Sequence, residues 1–366
     1  MIFRKLVSCL FLLAVLGSAQ RALPATLLIT SPQFGICVTS EDANYEYNWG
    51  VLQPETGLFS FSPIGQAPLA PHFTAPQHAV PGDLLRMNVT EPEDVDSVIA
   101  QVLGPKQQVL SHGIGFRPQA QQKDSWVILV GIPNVTAVGG YTLSLEIKSG
   151  ARSAVNLSVL SVRERTFKSE RIAVTPGMEE IRTSDDPRKL AQVRELMQVI
   201  RTPHADAVFE TGTIHDPLPN ARRTSGYGDR RKYVYPDNTS EYSVHEGLDL
   251  AVSAGTPVPV CGRGRVVLAT ERIVTGKTVV VEMLPGLFSL YFHLSEIDVK
   301  AGEIVEQGDV IGKVGMTGFA TGPHLHWEID ALGVPVDPDA LVAGPILDKT
   351  TESGESETGK APKGGE

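Results

Sequence analysis

The sequence has 366 residues, of which 42% are hydrophobic and 20% are charged. At roughly 100–200 residues per domain this length predicts two or three domains, and the composition excludes a single small scaffold and global disorder. The formal net charge of −10 excludes nucleic acid and anionic lipid as electrostatic partners. The 35 glycines and 26 prolines favour many short strands and turns over long helices.

The N-terminal segment predicts a secretory signal peptide. Arg4 and Lys5 precede an apolar run over 6–16, and small residues follow as far as Ala19. The run is shorter than the roughly 20 residues that a membrane-spanning helix needs. We therefore predict a signal peptide at 1–19, export to the periplasm or cell envelope, and no membrane span. Lipidation at Cys9 is the alternative, but a lipoprotein cysteine should follow the apolar run, which here continues beyond Cys9.

Short apolar or alternating runs, separated by Gly, Pro, Asn and Asp, extend over the first half of the chain. They predict strands at 25–29, 83–89, 126–130, 141–147 and 154–159. Regularly spaced strands with intervening turns are typical of a β-sandwich, and we assign one to residues 20–165. No group of side chains in this region is suited to catalysis.

One helix is predicted in a connector over residues 166–204. Asp186 can cap it, Pro187 takes the first helical position, and apolar residues follow at helical spacing, which predicts a helix over 187–202. A second β-rich domain at 205–345 and a polar, disordered tail at 346–366 complete the predicted organisation. The predicted fold class is therefore mainly β.

Four of the nine histidines lie between residues 245 and 326 in patterned surroundings. His245 and Asp249 are four positions apart, and in a straight strand their Cα atoms would be about 13 Å apart, too far for one metal ion. Gly247 lies between them and allows the chain to bend. The segment is therefore predicted to present an imidazole and a carboxylate to one point.

A second motif places two histidines on one face of a strand. His324 and His326 alternate with Leu325 and Trp327, which point the other way, toward a core. A separation of about 6–7 Å suits one metal ligand and one neighbour facing water or substrate better than two ligands. His293 adds a further imidazole, predicted at the end of another strand.

Two histidines and one carboxylate with an open coordination position form the ligand set of catalytic zinc. Iron sites with two histidines and one carboxylate have the same inventory, so residue types alone leave the metal open. H-x-x-x-D and H-x-H are each weak signals, but their combination predicts a metal centre.

Together these segments resemble the lysostaphin-type (LytM) zinc metallopeptidases, which cut peptidoglycan peptides. The resemblance covers about residues 224–340 and rests on SGYGDRR (225–231), HEGLDLA (245–251), GTPV (255–258), YFHLS (291–295), GKVG (312–315) and TGFATGPHLHWE (317–328). It implies that His245, Asp249 and His326 hold one Zn²⁺ ion. It also implies that His293 and His324 are catalytic histidines that do not bind the metal.

The resemblance implies an exported zinc metalloendopeptidase that hydrolyses stem or cross-link peptides of peptidoglycan during cell-wall remodelling. Zinc would polarise the scissile carbonyl and activate water at neutral pH. One alternative is a catalytically inactive regulator that binds and activates cell-wall amidases, although such relatives usually lack ligands and none is missing here. Another is the same catalytic domain on a bacteriocin-like protein or on a protein substrate that is not peptidoglycan. The bond cut, the regulation and any protein partners stay open.

Three further features of the sequence carry expectations. The form of residues 227–231 resembles envelope enzymes that carry an Ig-like domain before the peptidase, which implies an Ig-like fold for 20–165. Arg230 and Arg231 are expected either to contact an acidic peptide or to form structural ion pairs. Cys37 and Cys261 are expected as buried free thiols, although export would permit a disulfide between them.

Overall fold

The computed structural model describes residues 25–30, 35–40, 47–53, 58–63, 72–90, 95–118, 125–150 and 152–347. These residues form many strands and few helices, which confirms the mainly β prediction. The predicted signal peptide, and the predicted tail from residue 348 onward, lie outside the described residues. Ile346 and Leu347, placed in the predicted tail, are buried in the core of the C-terminal region and belong to the folded part.

Twelve strands of the N-terminal region form one sheet. They are β1 (Ala25–Thr30), β2 (Gly35–Ser40), β3 (Tyr47–Gln53), β4 (Leu58–Pro63), β5 (His72–Thr74), β6 (His78–Ala79), β7 (Leu84–Thr90), β8 (Ser97–Leu103), β9 (Val109–Phe116), β10 (Ser125–Gly131), β11 (Gly139–Ser149) and β12 (Arg152–Val162). Their order is β1-β2-β3-β4-β12-β11-β8-β9-β10-β7-β5, with β6 beside β12. The five predicted strands correspond to β1, β7, β10, β11 and β12, and the Ig-like assignment stays a prediction.

Strand β10 joins the N-terminal region to the rest of the molecule. Its apolar run is buried on both faces. Trp126 and Ile128 pack into the N-terminal core, whereas Val127 and Leu129, which point the opposite way, pack into the C-terminal core. The two regions therefore share a strand with two apolar faces, which explains why this run is continuous rather than alternating.

The connector contains more structure than the sequence predicted. It forms β13 (Ser169–Ala173), α1 (Pro176–Thr183) and α2 (Pro187–Arg201). Helix α2 confirms the predicted helix, and Asp186 caps it as expected. Leu196 and Ile200 pack on the C-terminal sheet, but Leu190 and Val193 are exposed, so only part of the predicted apolar face is covered. None of the helices in the described ranges combines the length and hydrophobicity that crossing a membrane requires.

The C-terminal region consists of short antiparallel strands and one helical turn. They are β14 (Arg222–Ser225), β15 (Arg230–Val234), β16 (Ser240–Val244), β17 (Leu248–Ala251), β18 (Pro257–Pro259), β19 (Gly264–Arg272), β20 (Gly276–Leu284), β21 (Leu287–Ile297), β22 (Ile304–Val305), β23 (Val310–Val314), β24 (Leu325–Ala331), β25 (Val334–Val336) and α3 (Pro338–Val342). Ten of them form a sheet whose main path is β14-β17-β24-β21-β20-β19-β22, while β13, β15 and β16 form a separate three-stranded sheet. The candidate site lies between these two sheets.

Candidate metal centre and active site

Three side chains from separate segments converge beside β17. His245 directly follows β16, Asp249 lies within β17, and His326 lies opposite Asp249 on the paired strand β24. Both His245 Nε2 and His326 Nδ1 lie 3.1 Å from Asp249 Oδ1, and the two nitrogens are 3.0 Å apart. All three residues are buried. The sequence motifs thus come together as one compact group of possible ligands.

The group has the dimensions and the chemistry of a metal site. Tetrahedral zinc with bonds of about 2.0–2.1 Å separates its ligand atoms by about 3.3 Å, close to the distances above. His245 Nδ1 donates to the carbonyl of Gly226 at 2.7 Å, so the lone pair of Nε2 faces the other two ligand atoms. On His326 the opposite nitrogen, Nε2, faces Glu328 Oε2 at 3.4 Å, which leaves Nδ1 toward the group. Such partners orient metal-binding histidines, and the residues present fit zinc.

Gly247 lets the His245–Asp249 segment approach β24. A Cβ atom at this position would lie 2.3 Å from the carbonyl oxygen of Trp327 and 2.9 Å from His326 Nε2. Contacts below 3.0 Å are sterically prohibited, so the backbone of β24 leaves no room for a side chain. The expected bend is present, and the glycine is required for close approach of two backbones.

We expect Gly247→Ala to destabilise the C-terminal region, because the added methyl group must displace the backbone at Trp327. Overpacking of this kind costs about 1–3 kcal/mol, which urea denaturation of the metal-free chain can measure. Gly322→Ala is the matched control, since a Cβ there meets open space. Equal free energies of unfolding for the two variants would contradict this explanation.

The two remaining predicted histidines line the same cleft as the ligand group. His293 donates through Nδ1 to the carbonyl of Thr317, and His324 donates through Nδ1 to the carbonyl of Gly322, both at 2.8 Å. Their ring centroids are 4.8 Å apart, and His324 Nε2 lies 3.5 Å from Asp249 Oδ1. In both rings the backbone contact uses Nδ1, so Nε2 is the nitrogen directed away from the backbone, and in His324 it lies beside Asp249 Oδ1.

The sequence predicted that His293 lies at the end of a strand. In the structure it lies within β21, at an irregularity of the strand pairing. The pairing register with β20 shifts beside it, between the pairs of Leu294 and Tyr291. Its φ angle is +63°, which a non-glycine residue rarely adopts. Its backbone N–H donates to the carbonyl of Thr275 at 2.9 Å and helps to hold this conformation. Bulges of this kind re-aim a side chain, and here the imidazole is directed into the cleft.

Burial and neighbouring charges set the protonation of the site. Burial, together with the neighbouring imidazoles of His324 and His326, lowers the pKa of His293 to about 3. Burial opposes the negative charge of Asp249, but hydrogen bonds from His245 and His326 hold its pKa well below the usual range. Burial also opposes a charge on His326, yet Asp249 and Glu328 raise its pKa to about 9. The carboxylates of Asp249 and Glu328 therefore favour positive charge at the position of the ligand group.

The low pKa of His293 predicts a pH dependence of stability in the metal-free chain. Between its unfolded pKa of 6.5 and its folded pKa of about 3, the unfolded state binds one proton that the folded state does not. The free energy of unfolding therefore falls as pH falls through this window, by at most about 1.4 kcal/mol per pH unit from this residue. In His293→Gln this contribution is absent.

Urea denaturation after chelation, between about pH 6.5 and pH 4.5, should give a shallower pH dependence for His293→Gln than for wild type. His215→Gln is the control, because His215 is exposed and distant in sequence from the site. Parallel pH curves for wild type and His293→Gln would contradict the neutral, buried state of this imidazole.

The sequence did not predict that residues of the connector line this cleft. Met178 of α1 and Phe319 pack with Tyr233 into a small apolar cluster that lines the cleft. Arg231 forms ion pairs with Glu170 of β13 and with Asp249, whereas Arg230 donates to the carbonyl of Asn134 at 2.8 Å. Arg231 therefore forms structural ion pairs, one of the two expected roles, whereas the contact of Arg230 is a hydrogen bond to a backbone carbonyl. No sequence signal pointed to Glu170.

Cys261 is a buried free thiol, as expected. The side chain of Cys37 lies outside the part of the chain whose side chains are described, so its pairing stays open.

Comparison with known proteins places these observations in a family. The family model Peptidase_M23, described as peptidase family M23, matches residues 243–338. The peptidoglycan DD-endopeptidases ShyA and ShyB of Vibrio cholerae are 39% and 37% identical over 121 and 123 residues. Each match covers 33% of this chain and 28% of the relative. The DD-carboxypeptidase/endopeptidase Mpg of Neisseria meningitidis is 36% identical over 123 residues, which is 34% of this chain and 27% of Mpg.

These three matches cover about a third of this chain and little more than a quarter of the length of these curated relatives. Among solved structures, the catalytic domain of lysostaphin from Staphylococcus simulans is 29% identical and covers 35% of this chain and 98% of its own, with a TM-score of 0.30. The family match contains the H-x-x-x-D and H-x-H motifs and both catalytic candidates. The chain carries a LytM-type domain of peptidase family M23.

Proposed function

We propose that the protein is an exported zinc metalloendopeptidase that hydrolyses peptide bonds in the stem or cross-link peptides of peptidoglycan. The observation that carries this proposal is the convergence of His245, Asp249 and His326 with two further imidazoles in one cleft. Three ligands with an open position and two adjacent proton-transfer groups are what metal-assisted peptide hydrolysis requires. The names of the relatives support the substrate class, and the predicted signal peptide supports a periplasmic or envelope location.

His245, Asp249 and His326 would hold the metal, and bound zinc would supply Lewis acidity toward water and a peptide carbonyl. The remaining chemistry falls to His293 and His324, which line the cleft and use Nδ1, not Nε2, for their backbone hydrogen bonds. Either imidazole can accept a proton from the attacking water at Nε2 and return it to the leaving amine. Once protonated, an imidazole can also donate a hydrogen bond to the carbonyl oxygen as negative charge develops there.

Digestion of purified sacculi tests this function. The full chain, loaded with zinc, should release soluble muropeptides in which mass spectrometry finds one added water for each peptide bond cut. The chelated chain should release none until zinc is restored. Sacculi left intact by a folded, zinc-loaded chain would contradict the proposal, and cleavage of a denatured protein but not of sacculi would favour a non-peptidoglycan substrate.

The alternative of a non-catalytic amidase activator makes a different prediction. A regulator of that kind should stimulate an amidase without releasing peptide-cleaved muropeptides of its own. Against it stands the presence of all five proposed site residues, with both non-ligand histidines aimed into the cleft. Muropeptide analysis with the chain alone distinguishes the two, because an amidase activator alone leaves every stem peptide intact.

A further inference from the structure

The connector contributes a strand to the wall of the metal centre. Strand β13 pairs in parallel with β15, from Ser169 opposite Arg230 to Ala173 opposite Val234. This strand lies some 70 residues before the region that matches the peptidase family. It is not part of the predicted peptidase domain either, which began at residue 205. The segment that precedes the peptidase domain is thus built into the sheet that faces the site.

Glu170, the second residue of β13, directs its carboxylate inward. Its Oε1 atom accepts a hydrogen bond from Ser225 Oγ and another from Arg231 Nε, each at 2.6 Å. The guanidinium of Arg231 is largely buried, with 13% of its side chain exposed. A buried guanidinium is costly without anionic partners, and Glu170 is one of its two carboxylate partners among the residues that the structure describes.

The second partner of Arg231 is the proposed metal ligand Asp249. Arg231 Nη2 donates to Asp249 Oδ2, while Asp249 Oδ1 faces His245 and His326. The two oxygens of this carboxylate therefore have different partners. One is held by the arginine and the other is presented to the ligand group. The planar fork of arginine suits this bridge, because Nε and Nη2 can hold two carboxylates at a fixed angle.

We propose that Glu170 and Arg231 are positioning residues that fix Asp249 in its ligating orientation, so that the connector helps to determine metal affinity. This inference deepens the proposed function and rests on its metal site. Without the contacts of Glu170 and Arg231, the carboxylate of Asp249 can rotate or present both oxygens to the metal. Metal binding must then also order this side chain, which costs conformational entropy. Loss of an outer partner of a metal ligand typically costs 10–100-fold in metal affinity or activity, and we expect an effect in that range.

Zinc affinity of the metal-free full chain tests this inference, measured by competition with a chromogenic chelator. Glu170→Gln keeps the shape and an acceptor oxygen but removes the charge, and Arg231→Lys keeps the charge but cannot bridge two carboxylates. Each is expected to weaken zinc binding about 10–100-fold while the metal-free chain still unfolds cooperatively. Added zinc in excess should restore much of the activity of Glu170→Gln, since a positioning residue acts through the ligand.

Glu241→Gln is the matched control. Glu241 lies in β16 of the same three-stranded sheet and pairs at 2.7 Å with Arg182 of α1, and within the described part of the chain the ion pairs of these two residues include none of the proposed ligands. Its substitution should leave zinc affinity unchanged. An equal loss of affinity in Glu241→Gln and Glu170→Gln would show a general effect of the sheet and would overturn the positioning role.

The outcomes separate this inference from the proposed function. Unchanged zinc affinity in folded Glu170→Gln and Arg231→Lys, with tight binding in wild type, overturns the positioning role alone. Equal affinity in wild type and Asp249→Ala overturns the metal site itself. If Arg231→Lys does not fold, Glu170→Gln decides, because Glu170 is partly exposed and its substitution creates no buried unpaired charge of its own.

Discussion

Replacement of His245 by alanine is expected to abolish zinc retention and peptide hydrolysis together. His245 supplies one of three ligand atoms that lie 3.0–3.1 Å apart, and the remaining Asp249 and His326 offer only two. Since loss of an outer partner already costs 10–100-fold in affinity, loss of a ligand should cost more than about 100-fold. Zinc content after dialysis and muropeptide release from sacculi measure the two effects.

The control for this prediction is His215→Ala, which removes an exposed histidine elsewhere in the chain. It should retain zinc and activity. Full zinc content in folded His245→Ala would contradict the assigned ligand set, and activity without zinc would contradict the mechanism as a whole. Thermal unfolding with and without added zinc provides a further check, because metal that binds only the folded state raises stability. That increase should be present in wild type and absent in His245→Ala.

The sequence predicted the proposed site residues because each motif is local. A histidine and an aspartate four residues apart, or two histidines with one residue between them, can be recognised without knowing the fold. The alternation around His326 also predicted that Leu325 and Trp327 point into a core, and both are fully buried. The zinc assignment and the individual roles remain proposals, but the structure brings the predicted side chains into one cleft.

Helices α1 and α3 were not predicted, although each begins with the same sequence signal as the predicted helix α2, a capping residue followed by proline. Thr175 caps helix α1 and Pro176 takes its first position, and Asp337 and Pro338 do the same in α3. Both repeat the pattern of Asp186 and Pro187. They are short, with eight and five residues, so the apolar periodicity that supported α2 had no room to develop. A cap signal alone would have located them.

The bridge through Glu170 could not be predicted, for a physical reason. Strand β13 is short and mostly polar, and none of its residues is fully buried, so no apolar alternation marks it as a strand. Its partner β15 lies some 60 residues further along the chain, and the parallel pairing leaves no hairpin turn between them. The ion pairs of Arg231 likewise join distant segments. Only the folded arrangement brings them together.

Substitution of His293 or His324 by alanine is expected to separate catalysis from metal binding. Neither residue belongs to the compact ligand group, so both variants should retain zinc. Loss of a positioned proton-transfer group typically lowers the rate by 10²–10⁴-fold, and we expect a fall of that size in kcat. Muropeptide release under saturating substrate measures the rate, and zinc content is determined on the same samples. Loss of zinc in either variant would instead make that residue a ligand.

The double variant tests whether the two histidines act on the same step. Their ring centroids lie 4.8 Å apart, and both present Nε2 to one cleft. Groups that act as a unit are strongly non-additive, because removal of the first already disables the step that the second serves. We therefore expect His293→Ala/His324→Ala to be little slower than the slower single variant. Multiplied losses would show that the two imidazoles serve separate steps, with one handling the water and the other the carbonyl oxygen or the leaving amine.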